Sequence, residues 1–266
     1  MGNINEIDCF LLDMDGTFYL GEELISGALE FIDILKEKDK KFVFLTNNSS
    51  RNSYNYQKKL KKLGLQVPLK KIVTSGQVTA DYIKNENKEA LVYIVGTEKL
   101  KNEFTKQGLK VTQNKDDNPD FLVVGFDTSL TYKKLWDAHD LILAGTDYIA
   151  TNPDRVCPLA GGATMPDCGA IIELLKTSTG QKPLVIGKPN TIMVDYISRK
   201  LGIARKKMAL IGDRLYTDIE MANQADISSV LVLSGETKKK DLQPAEQVPD
   251  FVYNSIKDIY LSLADE

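Results

Sequence analysis

The sequence predicts an α/β fold built on parallel sheets, and three observations carry that prediction. Short, almost continuously apolar runs alternate with longer segments of helical periodicity along the 266 residues. The runs are apolar on both faces of an extended chain, which suits strands covered by helices on both sides. Acids, hydroxyls, amides and a lysine collect where several of these runs end, and the carboxyl edge of an open α/β sheet is where ligands bind.

Along the chain, CFLLD (9–13), KFVFLTN (41–47), LVYIVG (91–96), DFLVVGF (120–126), YIATN (148–152), PLVIGK (183–188), MALIGD (208–213) and SSVLVLSG (228–235) read as strands. In GALEFIDILKEKDK (27–40), Leu29, Ile32 and Leu35 keep helical spacing with charges opposite. KKLKKLG (58–64) reads as the wet side of an amphipathic helix with Leu60 and Leu63 turned inward. KLWDAHDLIL (134–143) is a further amphipathic helix; it places His139, the single histidine, at the surface or in packing, and Trp136 in packing. NKDDNP (114–119) and KTSTGQKP (176–183) read as loops. The strands fall into two groups, one near residues 10, 43, 185, 210 and 231 and one near 93, 123 and 149. The second group is nested inside the first, as an inserted domain is: residues 1–76 and 183–266 form one domain and 77–182 the insertion.

Composition narrows the function. Hydrophobic residues are 42% of the chain, enough for an ordinary core, and the net charge of −3 argues against a nucleic-acid polymer as partner. No apolar stretch is long enough to span a bilayer, and MGNINEID lacks the features of a signal peptide, so no membrane partner and a cytoplasmic location are expected. Cys9, Cys157 and Cys168 match neither a zinc site nor a disulfide framework. Cys9 reads as an inert buried thiol and Cys168 as structural.

Four strand ends carry the chemistry. Asp13 and Asp15 follow the first strand, Thr46 and Asn47 the second, Lys188 follows LVIG, and Asp213 and Asp218 follow MALIG. Asp13, Asp15, Asp213 and Asp218 together predict a strongly negative pocket. At ~4 Å and an effective dielectric near ~20, each like-charged pair costs about 4 kcal/mol. A hard divalent cation relieves that cost; magnesium suits carboxylate oxygen, while calcium fits on charge alone but not through an EF-hand loop. A cation beside a lysine points to a phosphate ligand, which Thr46, Asn47 and Lys188 can bind. A carboxylate can attack phosphorus and a second can move the proton. Alternation puts Asp13 and Asp15 on one side of the chain if it stays extended and not if it turns here, and their spacing leaves open which does which.

DMDGT (13–17), Thr46 with Asn47, Lys188 in GKP and GDRLYTD (212–218) resemble, in order, the four motifs of the haloacid-dehalogenase-like (HAD) phosphatases. DMDGTFYLGEELISGA, FLTNNSSRN, ATNPD, CGA and GDRLYTDI look like the NagD, or p-nitrophenylphosphatase-like, subfamily over nearly the whole chain. The resemblance implies a Rossmann-like doubly wound parallel-sheet core with an inserted α/β cap that closes over the site and selects the leaving group. It implies an Mg²⁺-dependent phosphatase of small phosphate monoesters, working through an aspartyl-phosphate, with Asp13 as nucleophile and Asp15 as general acid/base. Mg²⁺ is then held by Asp13, a backbone carbonyl of Asp15, Asp213 and Asp218, the last directly or through water; Thr46, Asn47 and Lys188 hold the phosphoryl group. CPLAGGATMPDCGA (157–170) resembles the substrate-facing cap segment. By analogy, a homodimer through the cap is among the assemblies allowed. Two alternatives share these residues: a phosphotransferase or mutase, and a non-catalytic module that senses a phosphorylated metabolite.

Overall fold

Cys9, Phe10, Leu11 and Leu12 are fully buried and, with Asp13, form β1 (Cys9–Asp13), an inner strand with a parallel neighbour on each side. The computed structural model describes residues 3–159, 162–243 and 246–264. β1 is followed by the hairpin β2 (Tyr19–Leu20) and β3 (Glu23–Leu24), then α1 (Ala28–Glu37), β4 (Lys41–Thr46), α2 (Ser53–Lys62) and β5 (Ile72–Thr74). The middle of the chain forms α3 (Ser75–Glu86), β6 (Leu91–Val95), α4 (Glu98–Lys106), β7 (Lys110–Thr112), β8 (Phe121–Val124), α5 (Tyr132–Leu143), β9 (Asp147–Ala150), β10 (Val156–Pro158), β11 (Thr164–Pro166), α6 (Cys168–Thr179) and β12 (Leu184–Val185). The last third forms α7 (Ile192–Leu201), β13 (Met208–Gly212), α8 (Glu220–Gln224), β14 (Ser228–Val232), β15 (Phe251–Tyr253) and α9 (Ile256–Ala264).

The chain divides into two units. The first comprises residues up to Thr46, Gln57–Val73 and those from Lys188 onward; the second comprises Asn47–Tyr56 and Thr74–Gly187. The first is built on a six-stranded sheet in the order β15-β14-β13-β1-β4-β5. Register is parallel and aligned, Leu12 lying opposite both Ile211 and Phe44, so β1, β4 and β13 end side by side. Edge-to-face pairs Phe10–Phe31 and Phe18–Phe44, with centroids 5.8 and 4.8 Å apart, fill the core beside these strands. α1 buries Ala28, Phe31, Ile32 and Leu35, while Leu29 is only half-buried.

The second unit holds a five-stranded parallel sheet, β12-β9-β8-β6-β7. α5 and α6 supply Ala138, Leu141, Ile142, Ile171, Ile172 and Leu175 to its core. Threonines start its helices: the hydroxyls of Thr74, Thr97 and Thr131 accept hydrogen bonds from the backbone N–H of Gln77, Leu100 and Lys134.

Three expectations are corrected, the first being the loop at 176–183, whose residues 176–179 instead close α6. The strand near 185 does not join the first sheet: Leu184 and Val185 pair with Ile149 and Ala150 at the edge of the second. With two residues it has too little pattern of its own to choose a sheet, and the backbone bonds Ile186 N–Ala150 O and Gly187 N–Thr151 O extend the pairing. Trp136 is not packed but 61% exposed, because it lies on the face of α5 opposite Ala138, Leu141 and Ile142. The short strands β5, β7 and β15 and the hairpin β10–β11 escaped sequence reading. Within the predicted substrate-facing segment 157–170, Ala160 and Gly161 lie outside the described residues. No helix among the described residues is long and apolar enough to cross a membrane.

Candidate active site

In the first unit, β1 delivers Asp13 and β13 leads into Asp213 and Asp218. Asp13, Asp213 and Asp218 each offer a carboxylate oxygen, and these oxygens lie within 4.8 Å of one another. Lys188 is buried among them. Its Nζ donates to Asp13 Oδ1 and, at 2.6 Å, to Asp218 Oδ1. Asp218 Oδ2 also accepts the backbone N–H of Arg214 at 3.2 Å, where a π-turn over Leu215–Ile219 folds the chain back before α8.

Asp213 is the frustrated member. Its Oδ2 accepts the Glu236 N–H at 2.6 Å, but its Oδ1 is buried without a hydrogen-bond partner among the described residues. A buried acceptor left in this condition carries its full desolvation penalty. Burial and the Asp218 charge push the Asp213 carboxyl above the usual range. Burial raises Asp13 as well, helped by Asp218 and Asp213 and opposed by Lys188. Burial acts against the charge of Lys188, yet the two carboxylates outweigh it and hold the ammonium above its ordinary pKa. The single lysine charge does not neutralise three acids.

Glycine lets this cluster close up. A Cβ at Gly235 or Gly16 would overlap the Asp213 carboxylate, and one at Gly212 would overlap Asp218. Gly16 also sits at φ +86°, in the left-handed region. Ser234 Oγ donates to the Gly16 carbonyl at 2.7 Å, and Thr237 N–H to the Asp213 carbonyl at 3.1 Å. The segment after β14 is thus a fifth strand end that shapes the cluster. Its only mark in the sequence is the SG that closes SSVLVLSG, which carries no acid or base.

The structure does not bring every predicted residue together. The Asp15 side chain is exposed and outside the carboxylate cluster, so the prediction of a four-acid pocket is corrected to three. β1 ends at Asp13, so Asp15 lies beyond the extended run over which alternation holds. Partial burial nonetheless raises the Asp15 pKa, opposed by Lys59 and Arg214. Lys59 was read as part of a wet helix face; it also stands 3.7 Å above the Tyr19 ring. Thr46 is buried at the end of β4 in the first unit.

Asn47 belongs to the second unit and to a different polar cluster. Its Nδ2 donates to Asp154 Oδ2 at 2.8 Å. Asn152 Nδ2 donates to the same oxygen at 3.0 Å and lies 3.1 Å from Asp167 Oδ1. Thr151 Oγ1 lies 2.8 Å from both Ser49 Oγ and Asn152 Oδ1, and Ser49 Oγ accepts the Phe126 N–H at 2.9 Å. This network was missed as a structural device, although ATNPD (150–154) and NNSS (47–50) both contribute to it. Cys9 and Cys168 are buried free thiols; burial pushes Cys9 up to about 12.

The donor set fits a hard cation. Three converging carboxylates, one with an orphaned buried oxygen, supply the oxygen-only ligands that magnesium prefers.

Comparison with known proteins shows the family of the chain. The profile of the family Haloacid dehalogenase-like hydrolase matches residues 10–110, and a HAD-hydrolase-like profile matches 185–259. An acid sugar phosphatase of Staphylococcus haemolyticus is 34% identical over 96% of this chain and 95% of its own. The crystal structure of 4-nitrophenylphosphatase from Thermotoga maritima superposes with a TM-score of 0.94 at 44% identity, covering 99% of this chain and 100% of that one. A glycerol phosphate phosphatase of Mycobacterium tuberculosis, solved in complex with magnesium, reaches a TM-score of 0.89 at 32% identity, over 98% of this chain and 79% of that one.

Proposed function

The chain belongs to the haloacid dehalogenase-like hydrolases, in the NagD and p-nitrophenylphosphatase branch, and from that premise we propose that it is a Mg²⁺-dependent phosphatase of small phosphate monoesters that works through an aspartyl-phosphate on Asp13. The observation that carries the reading is the cluster of Asp13, Asp213 and Asp218 around Lys188, with Asp213 Oδ1 left without a partner.

In the first step an Asp13 carboxylate oxygen attacks phosphorus and the bond from phosphorus to the ester oxygen breaks. Asp15 gives its proton to the departing oxygen, and the upward push of burial on its carboxyl favours the protonated form. In the second step Asp15 takes a proton from water, the water oxygen bonds to phosphorus, and the acyl-phosphate bond breaks. Inorganic phosphate leaves and Asp13 is restored. Lys188, Thr46 and Asn47 bind the phosphoryl oxygens. Asp13, Asp213 and Asp218, with the backbone carbonyl of Asp15, would hold Mg²⁺, whose charge offsets that of attacker and ester. The second unit serves as the cap that sets specificity. Sugar phosphates lead the substrate panel, since the staphylococcal relative bears that name.

The test is steady-state hydrolysis of p-nitrophenyl phosphate and a panel of sugar phosphates and nucleotides, with free phosphate and alcohol both counted. The reading requires Mg²⁺-dependent turnover, one phosphate released per ester consumed, and loss of turnover in Asp13→Asn. Binding without turnover across the panel would support the sensing module instead. Transfer to a second hydroxyl in place of phosphate release would support a mutase.

A further inference from the structure

β12 is the edge strand of the second sheet, and a cavity of about 330 Å³ lies between it and α6. Every residue lining that cavity belongs to the second unit. Ile172 of α6 and Val185 of β12 make its middle apolar, and Pro153 and Pro183 add to that surface.

The two ends of the cavity are positive. β12 pairs in parallel with β9, Leu184 opposite Ile149 and Val185 opposite Ala150. Lys182 therefore precedes the amino end of this strand pair, and Arg155 follows its carboxyl end. The hydrogen bonds of α6 agree with that placement. The Gly169 N–H donates to the Asp154 carbonyl at 2.7 Å and the Asp167 N–H to the Arg155 carbonyl at 3.0 Å, so Arg155 stands at the start of the helix. Lys176 lies near its end, and α6 stops at Thr179 shortly before Lys182. Gly169 to Lys176 is about 10 Å of helix at ~1.5 Å per residue.

These end charges are not matched within the chain. Arg155 and Lys182 are exposed and form no ion pair or side-chain hydrogen bond among the described residues. Lys176 is answered by Glu173 at 3.1 Å. The acids beside Arg155, Asp154 and Asp167, are engaged by Asn47 and Asn152. A guanidinium offers a fork shaped for a carboxylate, and an ammonium a point charge. Two unmatched cations at opposite ends of an apolar trough complement a ligand with an anionic group at each end and hydrocarbon between.

We propose that this cavity binds an elongated dicarboxylate, its ends held by Arg155 and Lys182 and its methylenes laid over Ile172 and Val185. The inference is independent of the catalytic reading. The cavity shares no residue with the Asp13, Asp213 and Asp218 cluster, and without a metal those three acids with one lysine do not attract an anion.

The experiment is calorimetric titration of the full chain in EDTA with adipate, succinate and hexanoate. Saturable binding of adipate is expected. Hexanoate matches its length but has one anionic end, and succinate has two ends too close together to reach both cations; each should bind at least roughly tenfold more weakly. Arg155→Ala and Lys182→Ala should each weaken adipate roughly tenfold or more without moving the melting temperature. Glu173→Gln removes the negative charge beside Lys176 and should tighten adipate severalfold. Should Arg155→Ala disturb the neighbouring amide network, Lys182→Ala and the ligand series still decide. No saturable binding of adipate overturns the proposal. Equal affinity for hexanoate or succinate, or adipate binding that ignores Lys182→Ala, overturns it equally.

Discussion

Two clusters of buried polar groups stand at the carboxyl ends of two parallel sheets, and they solve the same problem in opposite ways. Behind β9, Asp154 and Asp167 meet amide donors from Asn47 and Asn152, and hydroxyls close the remaining bonds. No fully buried side-chain nitrogen or oxygen of that network lacks a partner among the described residues. Behind β1 and β13, Asp13, Asp213 and Asp218 lie together with one lysine, and Asp213 Oδ1 has no hydrogen-bond partner among the described residues. The first arrangement is complete as folded and holds the chain in place. The second keeps a buried acceptor with no hydrogen-bond partner among the described residues, a condition that a positive ligand would relieve. Counting acids in the sequence does not separate the two; counting the donors that reach them does.

The comparison breaks first at catalysis. Asp13→Asn should lower kcat on p-nitrophenyl phosphate by roughly 10⁴-fold or more, since an amide cannot form the acyl-phosphate. Asp154→Asn should leave most of the activity, the lost bonds being those that position Asn47.

It sharpens at stability, where the order of the two clusters reverses. Asp154→Ala removes the carboxylate oxygen that Asn47 Nδ2 and Asn152 Nδ2 share, and should cost about 2–4 kcal/mol in urea unfolding. Asp213→Asn removes a buried charge yet keeps an acceptor for the Glu236 N–H, so the metal-free protein should gain on the order of 1 kcal/mol. A loss in the second variant as large as in the first would remove the distinction between the clusters.

The smallest expected effect is on pH dependence. Asp13 and Asp213 have folded-state pKa values raised above those of the unfolded chain, so the folded state binds their protons more tightly. Their contribution to stability is fully present below the ordinary carboxylate pKa and is lost as pH rises through the raised values. In EDTA, the urea midpoint of the wild type should therefore fall toward neutral pH relative to an Asp13→Asn/Asp213→Asn double variant. With Mg²⁺ present that fall should shrink or vanish.

Much of this was readable in the sequence, for identifiable reasons. Continuous apolar runs such as CFLLD and MALIG reported buried parallel strands, and the residues that follow them reported the site. Lys188 stood out only through its company, and the structure places it among Asp13 and Asp218 as that company required. What failed was non-local or conformational. Leu184–Val185 joins the sheet of β9 through pairing that two residues cannot announce. Asp15 leaves the acidic cluster because β1 ends at Asp13, and alternation holds only while the chain stays extended. The role of Gly235 depends on the absence of a side chain, which no pattern of polar residues can show. Trp136 faces solvent although it is apolar, because helical periodicity says which side of α5 is buried and not what the other side is for.

The account's central claim is that the β1/β13 cluster, and not the β9 cluster, is unfinished without a cation. Calorimetric titration with Mg²⁺ of the wild type, Asp213→Asn and Asp154→Asn tests it directly. Saturable binding is predicted in the wild type and in Asp154→Asn, with loss in Asp213→Asn. No binding to the wild type, or undiminished binding to Asp213→Asn, would contradict it.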